Sequence, residues 1–409
     1  MTVVAVIGAG AAGLVTAAEL RAAGHDVIVY ERSGEVGGVW VYDEAPGRTM
    51  YASLRTNLPR DLMAFRGYLF DSRGGGDDDW PRFPRHGQVL ECLQRYTAAH
   101  DLASVIEFGT EVTSVSETLT GWNVETMCDA GAKADEFGAV AVCNGHFTHS
   151  RAPQLAGVEV FPGSVVHSRD YRRPDVFVGK RVAIVGTGSS GFDLSVEIAS
   201  VAEQVYWCGR DFDGIHPFPG VANLDTVPMP DGLTSDGCLL TAGKRLPIDA
   251  VVWCTGFHYD LSLIEDGVVA GIDAPAPLYR HLLPITHPTM ALIGIPQRII
   301  PFPLFEIQAK WFGAVLAGDI ELPSPDDQEA WVEGWHRHCR DAGREPYQFR
   351  NIGEEQFDYI DELAHECGAA LLPDWYRPLA YQTQQSRLAN PLDYRDRPLS
   401  IQGDSWVVS

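Results

Sequence analysis

Short, unbroken apolar runs recur along this chain, and two of them lead straight into glycine-rich hexapeptides. "VVAVI" at 3–7 precedes "GAGAAG", and "RVAIV" at 181–185 precedes "GTGSSG". A run of this kind, with no polar alternation, predicts a strand buried on both faces, as in a parallel sheet. After the first hexapeptide the pattern predicts a helix over 11–23 and a second strand, "DVIVY", at 26–30. After the second it predicts a helix to about Ser200 and the strand "QVYW" at 204–207. Each set is a βαβ unit that starts a parallel sheet. Further buried strands are predicted in "GAVAVCNG" (138–145), "PIDAVVWCTGF" (247–257) and "TMALIGI" (289–295).

The remaining pattern is more varied. Residues 71–87, "DSRGGGDDDWPRFPRHG", predict a surface loop, and 88–100 a helix. "SVIEFGTEVTSVSET" and "GWNVETM" alternate and predict antiparallel strands. "PLFEIQAKWFGAVLAG" predicts a helix closed by Gly318. Helices are expected from about "SPDDQEAW" onward, followed by an irregular tail rich in Pro, Arg and Tyr. "FPGSVVHSRDY" (161–171), between the two units, resembles neither strand nor helix.

A length of 409 residues implies two or three domains. The fold class is α/β, with two Rossmann-like nucleotide-binding domains, and a tandem of equal halves is the simplest arrangement. The net charge of −24 argues against nucleic acid and anionic membranes as partners. Only four of the 31 basic residues are Lys. Eight Cys without a C-x-x-C pair suit a reduced, cytoplasmic protein. The apolar start lacks the basic region of a signal peptide, and no apolar run reaches membrane-spanning length. "WHRHC" places His336 and His338 two residues apart, off a common helix face, so no metal site is expected.

Gly8, Gly10 and Gly13 form G-x-G-x-x-G between strand and helix. The first permits a tight turn, the second lets the backbone approach a pyrophosphate, and the third lets helix and strand pack closely. The helix N-terminus would then face phosphate. Glu31, 23 residues after Gly8, can accept from ribose hydroxyls. Gly37 and Gly38 give further close backbone approach, which favours FAD over NAD at this unit. Gly186, Gly188 and Gly191 repeat the spacing, but 23 residues on stands Gly209, then Arg210. Loss of the carboxylate and gain of a guanidinium suit a 2′-phosphate, hence NADPH, although Asp211 argues the other way. Two dinucleotide sites in one chain imply hydride transfer from nicotinamide to flavin.

At this point the residues resemble a family. "FPGSVVHSRDY" is similar to the F-x-G-x-x-x-H-x-x-x-(Y/F) linker of the class B flavin-containing monooxygenases. Both glycine turns, "GGVW", "TNLPRDLMAF", "WCTGF" and "FEIQAKWFGAVLAG" resemble further blocks in the same order, over roughly 3–320. The resemblance implies an NADP domain (161–257) inserted in a discontinuous FAD domain (1–160 and 258–409), in place of the tandem. It implies that NADPH reduces FAD, that O₂ then forms a C4a-hydroperoxyflavin, and that this oxygenates a small-molecule N or S nucleophile. Mapped by motif, Gly8, Gly10, Gly13, Glu31, Val39 and Trp40 would contact FAD. Gly186, Gly188, Ser189, Ser190 and Gly191 would meet NADP phosphates, and Arg210 the 2′-phosphate. Thr56 and Asn57 would stand beside flavin and nicotinamide, with Asn57 the catalytic hydrogen-bond donor and the capping of a turn before Pro59 its lesser alternative. Gln297 and Gln308 would lie near the isoalloxazine, Trp311 in the substrate site or the core. His167 is expected to be structural. A homodimer is kept open as the assembly.

Three rivals share this architecture. A Baeyer–Villiger oxygenase of ketones usually ends the linker in Trp, where Tyr171 stands here. A disulfide reductase needs a redox Cys pair near the first flavin helix, and there is none. A non-oxygenating FAD/NADP redox sensor would consume NADPH without oxygenated product.

Overall fold

A computed structural model describes the chain except residues 46, 72–75, 211, 213–217, 219, 270–276, 398, 403–404 and 409. Asp211 therefore lies outside the described residues. The chain divides into two compact units, Met1–Val41 with Leu58–His146 and Tyr259–Arg377, and Tyr42–Asn57 with Phe147–His258 and Pro378–Ser409.

The first unit is built on a five-stranded parallel sheet. Its spatial order is Met290–Leu292, Ala139–Val142, Val3–Ile7, Asp26–Glu31, Ile106–Phe108. The run "VVAVI" is apolar throughout because both faces are covered. Val4 and Val6 pack into a cluster with Leu14, Phe302, Trp311 and Ile360. Ala5 and Ile7 face the other way, onto Val115, Trp122 and Val124 of an antiparallel three-stranded sheet, Glu111–Thr118, Gly121–Cys128 and Gly131–Phe137. The predicted helices appear as Ala11–Ala22, His86–Ala99 and Pro301–Ala317, the last ended by Gly318 at φ 81°.

Gln308 in that last helix is fully buried, with both ends of its amide engaged. Its Oε1 accepts from the Gly294 N–H at 2.9 Å, and its Nε2 donates to the Tyr359 hydroxyl at 2.8 Å. Trp311 is likewise in the core, its indole N–H donating to Glu366 at 2.6 Å. Gln308 ties its helix to the end of strand Met290–Leu292, and Trp311 ties it to helix Gln356–Glu366.

The second unit repeats the plan, with parallel strands in the order Leu224–Pro228, Gln204–Gly209, Arg181–Val185, Ala250–Trp253, Ser164–His167. The linker expected to be irregular thus supplies an edge strand, because Val165 and Val166 pair with Val251 and Val252. His167 ends this strand. Its Nδ1 accepts the Arg169 N–H at 3.1 Å, so Nε2 carries the proton and donates to the Gly256 carbonyl at 3.1 Å. Both ring nitrogens are engaged in shaping the bend.

The units' boundaries differ from the expected domain limits at four places, one of them the single residue His258. Residues 42–57 and 147–160 group with the second unit, and so does 378–409. Arg172 explains part of this, since its guanidinium donates to the carbonyls of Ala45 and Arg48. Pro325–Asp341 and Gln356–Glu366 are the helices expected beyond 323, and the segment after them is more regular than expected, since Tyr376–Ala389 is a helix as well. His336 and His338 of "WHRHC" have separate partners, the Phe349 ring and Glu355. No helix among the described residues is long and apolar enough to cross a membrane.

His281 sits in an aromatic box in the first unit, its ring 4.8 Å from Trp335, 5.1 Å from Trp331 and 5.6 Å from Tyr359. Desolvation by these rings, with the charges of His336 and Arg280, pushes its pKa down from 6.5 to about 3. The neutral ring therefore contributes stability that is complete above about pH 6.5 and lost as pH falls below it. Between about pH 7.5 and pH 5, the unfolding free energy should drop by about 1–2 kcal/mol more in the unaltered protein than in His281→Phe. Urea titrations at the two pH values check this, and equal drops would contradict it.

Candidate nucleotide-binding sites

Both glycine-rich turns leave the carboxyl end of a central parallel strand and open a helix, the place where ligands bind in open α/β sheets. At the first turn Gly8 has φ +101°, and a Cβ there would lie 2.7 Å from the Cys143 carbonyl oxygen. A Cβ on Gly13 would lie 1.8 Å from the Gly8 oxygen. Gly10 differs, since its nearest neighbour would be the Gly38 Cα at 3.5 Å. It caps helix 11–22 without a side chain, so the amides of the first helical turn are presented to a ligand.

The Gly37–Gly38 pair passes against this turn. The Gly37 N–H donates to the Ala9 carbonyl at 2.9 Å, and Gly38, at φ +56°, would drive a Cβ to 2.9 Å from the Gly10 Cα. Val39 and Trp40 follow in one helical turn, Gly38–Trp40, with the Trp40 ring edge-on to Phe302 at 6.3 Å. Glu31 is buried at the end of its strand. Its Oε2 accepts from the Ala9 N–H at 2.7 Å, and its Oε1 from the N–H and hydroxyl of Ser33 at 2.8 and 2.7 Å. A carboxylate offers about four acceptor positions, so about one is left for a ribose hydroxyl. The glycine spacing and the position of the acid do not reveal this second role, in which the carboxylate also holds the glycine turn in shape.

The second turn keeps the geometry and changes the chemistry. Gly186 has φ +116° and would meet the Cys254 oxygen at 2.2 Å, and Gly191 the Gly186 oxygen at 1.9 Å. The brace here is Trp207, whose indole N–H donates to the Gly186 carbonyl at 2.9 Å. At Gly209 a Cβ would lie 2.5 Å from the Thr187 methyl and 2.9 Å from the Phe212 ring, so a side chain there would have to displace both. Arg210 follows directly and is exposed. Ser189 and Ser190 open helix 189–199, capped by Gly188 without a side chain.

Asn57 belongs to this second unit. Its Nδ2 donates to the Ser189 hydroxyl at 3.1 Å, while Thr56 beside it is buried. Gln297 lies elsewhere, in the first unit. It is held through backbone bonds to Arg350 and Ile352, five residues beyond strand 290–292. Near it the Arg350 guanidinium lies 4.4 Å over the Tyr259 ring, and His146 stacks on that ring at 4.7 Å. Burial and Arg350 push the His146 pKa down to about 4. His146, Tyr259 and Arg350 come from three distant segments, and no spacing in the sequence links them. Among the described residues, no group of three or more His, Cys, Asp or Glu is placed to hold a metal ion.

Both turns therefore fit a dinucleotide: glycine where backbone crowds, open space at Gly188, an uncapped helix start, and a ribose acceptor at the first turn only. Comparison with known proteins points the same way. A family model described as FMO-like, Flavin-binding monooxygenase-like, matches residues 1–214 and 233–375. The chain is 35% identical to flavin-containing monooxygenase FMO GS-OX-like 3 of Arabidopsis thaliana, over 96% of this chain and 93% of that protein. Its fold matches the structure of S-allyl-L-cysteine S-oxygenase from Allium sativum with a TM-score of 0.91 and 35% identity, covering 97% and 95% of the two chains. Cyclohexanone monooxygenase shares the fold at a TM-score of 0.64 and 16% identity, over 90% of this chain and 98% of that one.

A Cβ added at Gly188 meets no atom within 4 Å, whereas one at Gly191 collides with backbone. Gly188→Ala should therefore fold with an unchanged thermal midpoint yet lose at least about tenfold in NADP⁺ affinity by calorimetry, since the methyl occupies the pyrophosphate's approach. Unchanged affinity would mean that no phosphate comes close to this backbone.

Proposed function

The chain belongs to the flavin-binding monooxygenase family, and from that premise we propose that it uses NADPH and O₂ to oxygenate a soft sulfur or nitrogen nucleophile, a thioether first. It is an oxidoreductase with FAD and NADPH as cofactors and a small molecule and O₂ as co-substrates. The observation that carries the proposal is the pairing of two complete glycine-turn sites, of which only the first bears a carboxylate. The preference for sulfur draws support from the similarity to the S-oxygenase.

In this reading the first unit binds FAD through Gly8, Gly10, Gly13, Glu31, Val39 and Trp40, with Gln297 serving the flavin from the same edge of the sheet. The second binds NADPH through Gly186, Gly188, Ser189, Ser190 and Gly191, with Arg210 on the 2′-phosphate. The flavin, once reduced by NADPH, supplies the oxidant from O₂. The protein itself has to bind, orient and exclude water, so no nucleophile triad is needed. Thr56 and Asn57 are assigned to the bound cofactors, supported by the hydrogen bond from Asn57 to Ser189 at the NADPH turn. A cytoplasmic site of action fits eight free cysteines, five of them buried.

The alternatives are ketone oxygenation, for which the relevant likeness is one of fold, and a redox sensor that makes no oxygenated product. Incubation of the FAD-loaded enzyme with NADPH, O₂, a dialkyl thioether and a cyclic ketone separates the three. Sulfoxide should form with little or no lactone. Lactone alone would reverse the assignment, and NADPH consumption without either product would favour the sensor.

A further inference from the structure

The C-terminal segment carries no recognisable motif, yet its side chains reach the NADPH turn of the second unit. Arg395 donates through Nη2 to both oxygens of Asp193, at 2.9 and 2.7 Å, and through Nε to the Thr56 carbonyl at 2.9 Å. Asp193 lies one turn after Ser189 on helix 189–199, on the same face. Thr56 immediately precedes Asn57, which donates to Ser189. These residues thus form a closed loop: Asn57 to Ser189, along the helix to Asp193, across to Arg395, and back to Thr56.

Neighbouring contacts reinforce it. The Tyr51 hydroxyl donates to Asp193 at 3.1 Å, and the Ser53 hydroxyl to Glu197, one helical turn further, at 2.7 Å. Arg55 returns the clamp in the opposite sense: its Nη2 donates to the Arg395 carbonyl at 3.2 Å and its Nη1 to Asp396 at 2.7 Å. Segment 51–57 has no regular secondary structure. These side chains, together with a β-bridge at Arg55 and the bond from the Ala52 N–H to the Arg172 carbonyl at 3.1 Å, set its position along the helix. A guanidinium suits this position because its planar fork can hold a carboxylate and a carbonyl at once.

We propose that Arg395 is a positioning residue, which fixes Asn57 against the NADPH turn through Asp193 and Thr56. The proposal rests on the reading of Asn57 given above for its effect on oxygen transfer, but its geometric part is independent of that reading. The consequence is that the motif-free tail is required for coupled turnover.

The test uses the full-length, FAD-loaded enzyme carrying Arg395→Met or Arg395→Lys. Arg397→Gln, which breaks an exposed ion pair with Asp393, serves as a control on the same segment. In Arg395→Met, amide exchange over 51–57 should accelerate and NADP⁺ affinity by calorimetry should fall by about tenfold, the loss expected for a charge-assisted contact. Hydrogen peroxide formed per NADPH consumed should rise at the expense of sulfoxide. Arg395→Lys, which keeps the charge but not the fork, should lie between, and Arg397→Gln should match the unaltered enzyme. A purely structural role would lower the thermal midpoint and the folded fraction without moving the peroxide-to-sulfoxide ratio, and that outcome overturns the proposal. If Arg395→Met does not fold, Arg395→Lys with unchanged exchange, affinity and ratio overturns it equally. If the unaltered enzyme makes no sulfoxide, the functional reading fails, while exchange and NADP⁺ affinity still decide the placement of Asn57.

Discussion

The structure depends on two places where backbone meets backbone with no side chain between. In each unit the third glycine of the turn lies directly over the carbonyl of the first, so that a single added carbon would sit at 1.8 Å (Gly13) or 1.9 Å (Gly191) from oxygen. That approach lets the helix start against the strand, and so aims its first amides at the sheet's carboxyl edge. Each turn then needs a brace that does not occupy the ligand's space. Glu31 provides it in the first unit through the Ala9 N–H, and Trp207 in the second through the Gly186 carbonyl. One brace is an anion that can also accept from a ribose. The other is a neutral donor near Gly209, where the first turn's equivalent position holds the carboxylate and here there is none. The difference in chemistry between the two turns therefore arises within the same packing plan.

Much of this is legible in the sequence because the constraints are local. The runs 3–7 and 181–185 are apolar at nearly every residue since both sheet faces are covered, and the glycine spacings are imposed by contacts at the turns themselves. The family resemblance rests on such local blocks. What escapes reading is long-range. Residues 161–171 have an irregular pattern, but pairing with Ala250–Trp253 makes Ser164–His167 a strand. Tyr376–Ala389 is polar and mixed in composition, and it is nonetheless a helix, with Arg387 stacked over Phe192 at 4.2 Å. Arg172 and Arg395 tie 42–57 and 378–409 into the second unit through bonds to residues more than 120 positions away. Gln308, expected near the flavin, has its amide engaged in the core by Gly294 and Tyr359.

The described histidines also show an economy of ionisable chemistry. His167 has both ring nitrogens engaged in a bend, and His146 and His281 are held toward the neutral form. An enzyme whose oxidising power resides in its flavin needs the protein chiefly for placement and for exclusion of water. Near the second turn Asn57 donates to Ser189 and Arg395 to Asp193 on the same helix face, which holds an otherwise irregular segment in place.

Electron transfer between the two cofactors of one chain underlies every functional step proposed for this protein. An anaerobic titration of the FAD-loaded protein with NADPH, followed by flavin absorbance, tests it most directly. The yellow colour should bleach with about one equivalent of NADPH per flavin. A flavin that stays oxidised with NADPH in excess would contradict the assignment.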